Sequence, residues 1–236
     1  MVKALIAVTS FFDKFYPDGT KTGLFAAEAI EPFEIFRAEG YEVDFVSETG
    51  TFGYDENSVS NPDFLNGEIA EIFHDKESAF NKAMSNIKKA ADVKADEYDI
   101  FYAAGGHGTL EDFPTASGLQ SIALAIWAKE GVVAALCHGV AILANLLDSK
   151  TGKPLAQGKS MTGFTDEGER LTGVDKLMEA RNLQSIEDWA TKLGANYVAP
   201  PTPFEDFVVN DGKFVTGVNP ASAKSTAIRA VEVYKN

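Results

Sequence analysis

Of 236 residues only one, Cys137, is cysteine, so no internal disulfide can form and a disulfide framework is excluded. Histidine is nearly as scarce: His74, His107 and His138 are scattered and, with the lone cysteine, show no metal-ligand spacing, so no metal is expected. Basic residues are outnumbered, 21 Lys plus Arg against 35 Asp plus Glu, leaving a net charge of −14. Such a chain has no electrostatic footprint for nucleic acid or an anionic membrane surface, and neither is expected as a partner. No apolar run approaches the roughly 18 residues of a membrane span. The first run, Ala4 to Val8, is too short for a secretory signal and soon meets Asp13 and Lys14. There is no Walker loop, no Gly-x-Gly-x-x-Gly fingerprint, no repeat and no low-complexity linker. A soluble protein of a reducing compartment is expected.

What is present reads as α/β. Hydrophobic residues make up 45% and charged residues 24%, an ordinary globular balance. Lys3 to Val8, Tyr98 to Ala104 and Gly131 to Leu136 are apolar runs of the kind buried on both faces of a parallel sheet, and Tyr41 to Ser47 alternates as a further strand. Phe25, Ala29, Phe33 and Phe36 form one helical stripe that Gly40 ends, with Pro32 expected to kink it. Phe80, Ala83, Met84 and Ile87 mark another helix, and Leu119 to Lys129 a third. Val140 to Leu147 is apolar almost all round and should be a buried helix. Residues 49–76 have no strong period and are expected to be a long excursion with at most a short helix, suited to a lid or a contact surface. Asn210-Asp211-Gly212 predicts a hairpin, and Asn219-Pro220 the start of a last helix. Strands alternating with helices predict a mostly parallel sheet covered on both faces, in one domain over 1–236 with a small inserted or appended subregion.

The chemistry collects at two strand ends. Ala135-Leu136-Cys137-His138-Gly139 has the small-x-nucleophile-x-Gly form of a nucleophile elbow, in which small flanking residues let the chain turn and lift the side chain off the sheet. A helix N-terminus behind the sulfur is expected to lower the thiol pKa. A lone cysteine is more often a small buried hydrophobe, but the C-terminal edge of a parallel sheet is where ligands bind. His138 could act as base through its ring or as an oxyanion donor through its backbone N–H. Gly105-Gly106-His107-Gly108 closes another strand, and its glycines bring bare backbone with a second N–H to the same edge. Glu28 lies at i+3 from Phe25 on the flank of the helical stripe, where an edge glutamate is the better reading of spacing alone; Glu31 and Glu34 should face solvent. The acid cluster Asp166, Glu167 and Glu169 reads as mostly solvated, and His74 as a surface residue.

These residues carry a resemblance. Asp18-Gly19-Thr20-Lys21-Thr22-Gly23, the stretch Gly40 to Gly50, Gly105 to Thr109, Ala134 to Gly139, Thr162 to Asp166 and Thr216 to Ser222 resemble the DJ-one/PfpI superfamily, specifically its fungal heat-shock-protein-31-like branch of glutathione-independent glyoxalases. The likeness spans essentially the whole chain. It implies a flavodoxin-like three-layer sandwich with a triad of Cys137, His138 and Glu169, Glu28 against the thiol, and Gly106, His107 and His138 at the oxyanion and substrate. Such proteins often read Cys-His-Gly-Pro; Val140 stands in the proline's place, which touches only the helix start. The implied activity is conversion of methylglyoxal and water to D-lactate through a cysteine hemithioacetal, without a cofactor. It would detoxify dicarbonyls such as methylglyoxal and glyoxal under stress, in the cytoplasm and also the nucleus. Rival readings are a Cys-dependent peptidase, amidase or deglycase, a stress-induced holdase for misfolded clients, and a thiol redox sensor. An enclosed pocket walled by Phe12, Tyr16 or the 49–76 excursion would favour a dicarbonyl over a peptide. Whether the chain forms a homodimer is left open.

Overall fold

The computed structural model describes residues 1–236. The chain opens with β1 (Lys3–Ala7), followed by a short hairpin of β2 (Asp13–Lys14) and β3 (Lys21–Thr22). Next come α1 (Ala26–Ala38), β4 (Glu42–Ser47), α2 (Glu56–Ser60), α3 (Gly67–His74), α4 (Ala79–Ser85) and β5 (Lys88–Lys89). The middle of the chain supplies β6 (Ile100–Ala103), α5 (Gly108–Asp112), α6 (Ser117–Ala128) and β7 (Val132–Leu136). After β8 (Ser160–Met161) three short helices follow, α7 (Asp166–Thr172), α8 (Asp175–Arg181) and α9 (Ile186–Leu193). The end comprises β9 (Asn196–Tyr197), β10 (Val208–Asp211), β11 (Phe214–Gly217) and α10 (Ala223–Lys235).

Seven strands make one sheet in the order β10-β11-β7-β6-β1-β4-β5. Only the β10–β11 pair is antiparallel. The pleat explains why the central strands are apolar throughout. Leu5, Ala7, Phe101, Ala103, Val133 and Ala135 enter one core, while Ala4, Ile6, Ile100, Tyr102, Val132 and Ala134 enter the other. The first core is closed by α6, α9 and the Val140–Leu146 segment, the second by α1 and α10. This is the expected mostly parallel sheet with helices on both faces.

Local expectations fared unevenly. The hairpin forms, with Gly212 at φ +59°, and the Asn219 side chain accepts the Ser222 N–H where the last helical segment begins. Gly40, at φ +77°, follows the end of α1, and the helix continues through Pro32 to Ala38. The 49–76 excursion is more ordered than expected, holding α2 and α3. Asp55 caps α2 by accepting the Ser58 N–H at 3.0 Å, a local signal masked by weak apolar periodicity. The helix after β7 is a 3₁₀ run, Cys137–Asn145, rather than α. Its start is pressed against β6: a Cβ on Gly139 would lie 2.6 Å from the Ala103 carbonyl oxygen, and the tighter coil fits that space. Glu31 and Glu34 are half-buried instead of facing solvent, and His74 is exposed.

Candidate active site

β6 and β7 are parallel neighbours, so their C-terminal ends deliver Gly105-Gly106-His107 and Cys137-His138 to one sheet edge. The turn after β7 forces Cys137 to φ +56°, in the left-handed region that non-glycine residues rarely occupy. This strain belongs to an elbow that lifts a side chain above the sheet. Cys137 is only 3% exposed, yet it reaches a cavity of about 310 Å³. Gly106 sits in the facing turn at φ +108°, and a Cβ there would lie 2.2 Å from the Gly23 carbonyl oxygen. Its N–H donates to no protein group, so a free donor lines the cavity beside the sulfur. A Gly106→Ala change is expected to destabilise the protein by at least about 2 kcal/mol, through both the clash and the positive φ, as measured by urea unfolding.

The Cys137 Sγ lies 3.2 Å from His138 Nδ1, and His138 Nε2 lies 2.6 Å from Glu169 Oε1. Glu169 stands on the first turns of α7, where Thr165 caps the helix by accepting the Gly168 N–H at 2.8 Å. In contrast to a solvated acid cluster, Glu169 is 3% exposed. Burial alone would raise its carboxyl, but the His138 and His107 rings more than offset this and hold it well below the usual carboxylate range. The His138 ring is pushed down, first by burial and then by the neighbouring His107. His138 therefore keeps one proton, on Nε2 toward Glu169, and turns its Nδ1 lone pair to the thiol.

Glu28 is wholly buried on α1, not at an exposed edge. Its Oε2 accepts the Gly105 N–H at 2.8 Å, while Oε1 has no nitrogen or oxygen partner. Burial pushes this carboxyl up to about 8, with the adjoining Cys137 side chain and the Gly105 N–H opposing the rise. The expectation of a lowered thiol pKa is corrected. Burial and then the Glu28 carboxylate push the Cys137 thiol up, and the His138 backbone N–H, which favours the thiolate, does not compensate. Glu28 and Cys137 thus form a dry pair in which charge on one disfavours charge on the other.

Two of the three histidines are not scattered. His107, His138 and Glu169 bring their donor atoms within 4.8 Å of one another, through tertiary packing that no ligand spacing announces. Each ring nitrogen already has a partner: His107 bonds Tyr16 and Glu169, and His138 bonds Cys137 and Glu169. In this structure the cluster is a hydrogen-bonded set.

The cavity wall separates by chemistry. Tyr16, Asp55, Asn57 and Asn61 supply polar groups, whereas Phe25, Phe64, Phe164 and Phe204 make an aromatic side. Tyr16 and the 49–76 excursion do enclose it. Phe12 does not; its ring lies against Gly53 and under the Lys21 ammonium. Of the polar wall, Tyr16 and the 49–76 stretch were anticipated, but Asp55 itself was not singled out from the sequence. Asp55 is 1% exposed and accepts from Tyr16 Oη and Thr22 Oγ1, both at 2.8 Å, and only the cap pattern before α2 hinted at it.

The DJ-1/PfpI family matches residues 21–232, nine-tenths of the chain and every residue of this cluster from Glu28 to Glu169. The chain belongs to the DJ-1/PfpI family. Among family members, the Saccharomyces cerevisiae protein named glutathione-independent glyoxalase HSP31 is 56% identical over 234 residues, covering 99% of this chain and 98% of the relative. Candida albicans glyoxalase 3 is 53% identical over 235 residues, covering 100% of this chain and 99% of its own. The crystal structure of Candida albicans glyoxalase III superposes with a TM-score of 0.97 at 52% identity, over 98% of this chain and 97% of that one.

Proposed function

We propose that the protein is a glutathione-independent glyoxalase that converts methylglyoxal and water to D-lactate. The observation that carries this reading is the Cys137–His138–Glu169 relay, with contacts of 3.2 and 2.6 Å, opening into a cavity of about 310 Å³. That volume is at the small end of the roughly 300–1,000 Å³ of small-molecule pockets, and it favours a compact dicarbonyl over a peptide. The full-length likeness to proteins named glyoxalases supports the same reading.

The chemistry follows from the parts. His138 Nδ1 takes the thiol proton as Cys137 Sγ bonds to the aldehyde carbon. The aldehyde oxygen becomes an oxyanion beside the Gly106 N–H and the His138 backbone N–H, and protonation there gives a hemithioacetal. A base beside the sulfur, His138 or Glu28, then removes the hydrogen on the former aldehyde carbon. The electron pair forms an enediol, and a proton returned to the former ketone carbon leaves a 2-hydroxyacyl thioester. Water cleaves the carbon–sulfur bond, releasing lactate and restoring the thiol. The substrate is oxidised at one carbon and reduced at the next, so no external electron acceptor is required. A buried thiol with a raised pKa suits this cycle, because the thiolate forms only as substrate fills the site and its charge passes to an oxygen that has donors.

Glyoxal fits the same scheme. The reading places the protein in the cytoplasm or nucleus, where its one thiol stays reduced. Incubating the purified protein with methylglyoxal in the absence of glutathione is expected to release one D-lactate per methylglyoxal consumed, assayed with D-lactate dehydrogenase. Absence of lactate from a folded protein would overturn the reading and leave a holdase role, for which the exposed Phe64 and Phe204 would be the client surface.

A further inference from the structure

His107 makes two contacts that the relay itself does not require. Its Nδ1 lies 3.1 Å from Tyr16 Oη, and its Nε2 lies 3.1 Å from Glu169 Oε2. Donor accounting bears on its role. Tyr16 has one proton and gives it to Asp55 Oδ2 at 2.8 Å, so it can only accept from His107 Nδ1. Asp55 is itself an acceptor throughout, taking Thr22 Oγ1–H on Oδ2 and the Ser58 N–H on Oδ1. Burial and then Asp55 push the Tyr16 hydroxyl far up, so it keeps its proton. Glu169 is an ionised carboxylate, and an ionised carboxylate only accepts. Both contacts are satisfied together when the ring donates from both nitrogens.

We propose that His107 is a positioning residue, a doubly donating ring clamped between Tyr16 and Glu169, whose task is to keep the His138 Nδ1 lone pair free for the Cys137 thiol. The two imidazoles are close neighbours, with ring centroids 4.1 Å apart and planes tilted by 37°. They share one carboxylate, His107 on Oε2 and His138 on Oε1. The positive charge on His107 satisfies Glu169 and opposes a second proton on His138. His138 accordingly remains a base. The groups that bear on the pair are Tyr16 from the β2–β3 hairpin, Asp55 ahead of α2, Glu169 on α7, and Cys137 with Glu28 beside the thiol; Phe15 and Phe164 complete the wall. The effective unit would then be a chain of six groups, from Asp55 through Tyr16, His107, Glu169 and His138 to Cys137.

Nitrogen NMR of the ring nitrogens tests this directly, because the chain has only three histidines and His74 is exposed. In the resting wild type at neutral pH, His107 is expected to show two protonated nitrogens and His138 one. The second arm, which rests on the glyoxalase reading, is the pH profile of kcat/KM with methylglyoxal for wild type, Tyr16→Phe and His107→Asn. A base works unprotonated, so activity falls as pH drops through its pKa. Without the His107 charge, His138 protonates more readily, and the acid limb should move to higher pH by about one unit. Tyr16→Phe keeps the ring but removes the acceptor for its Nδ1–H, so it should shift the limb the same way by less. It also keeps the test alive if His107→Asn does not fold. A bare nitrogen on wild-type His107 would overturn the proposal. So would an acid limb that stays fixed while kcat falls equally at every pH. If wild type lacks glyoxalase activity, that reading fails by itself and the NMR arm still decides this one.

Discussion

Cys137→Ala is expected to abolish glutathione-independent D-lactate formation, with a loss of at least about a thousandfold, because no other thiol exists to form the hemithioacetal. The fold should survive. Cys137 is 3% exposed in a well-packed core, and loss of one sulfur there is expected to cost about 1 kcal/mol. Circular dichroism and a thermal melt would confirm that the variant is folded before its rate is read. The same variant separates the rival readings, since a holdase activity followed by light scattering of an aggregating client should be unchanged. A folded Cys137→Ala protein that still produced lactate at the wild-type rate would end the covalent scheme.

Glu28→Gln is expected to move activity and stability in opposite directions. The Glu28 carboxyl is pushed up by burial from its ordinary 4.5 to about 8. Between those pH values the unfolded chain has given up a proton that the folded chain retains. Stability is therefore fully present below about pH 4.5 and is lost as pH rises through about 8. Glutamine keeps an acceptor for the Gly105 N–H and has no charge to desolvate. The variant should then match wild type near pH 4.5 and exceed it at pH 8 by on the order of a few kcal/mol. Activity should fall by roughly a hundredfold to ten-thousandfold, the usual contribution of a positioned proton-transfer group. Urea titrations at the two pH values and the lactate assay check both parts. A stability difference that does not change with pH would show that Glu28 is ionised in the folded protein.

Both predictions turn on features of unequal legibility. The elbow was readable because a short run of small and β-branched apolar residues after Gly131, Val132–Leu136, reads as a strand buried on both faces, and such a strand ends where Cys137 must turn. The Gly105–Gly108 turn was readable for the same reason at the end of β6. Glu28 was not. Its i+3 offset from Phe25 places it on the flank of a stripe, and whether a flank is buried depends on what docks against it. Glu169 was hidden among neighbouring carboxylates. Only the docking of α7 against the sheet edge turns that one, and not Asp166 or Glu167, toward the two histidines.

By itself, then, the sequence determined the parallel sheet, the order of its helices and the nucleophile at the strand end, since these follow from the periodicity of apolar residues close together in the chain. Resemblance added the relay and the reaction, residue by residue. Tertiary structure alone decided the electrostatics. A helix N-terminus next to Cys137 predicted a lowered thiol pKa, yet burial beside Glu28 raises it, because removing water from a charge outweighs a partial dipole. It also decided that Asp55, Tyr16, His107 and Glu169 form one hydrogen-bonded chain. Those residues come from a capping turn, a hairpin, a glycine-rich turn and a distant helix, and no local pattern relates them. Pairing across such separations is set by how the layers close, and that closure is where the protonation states of this site are settled.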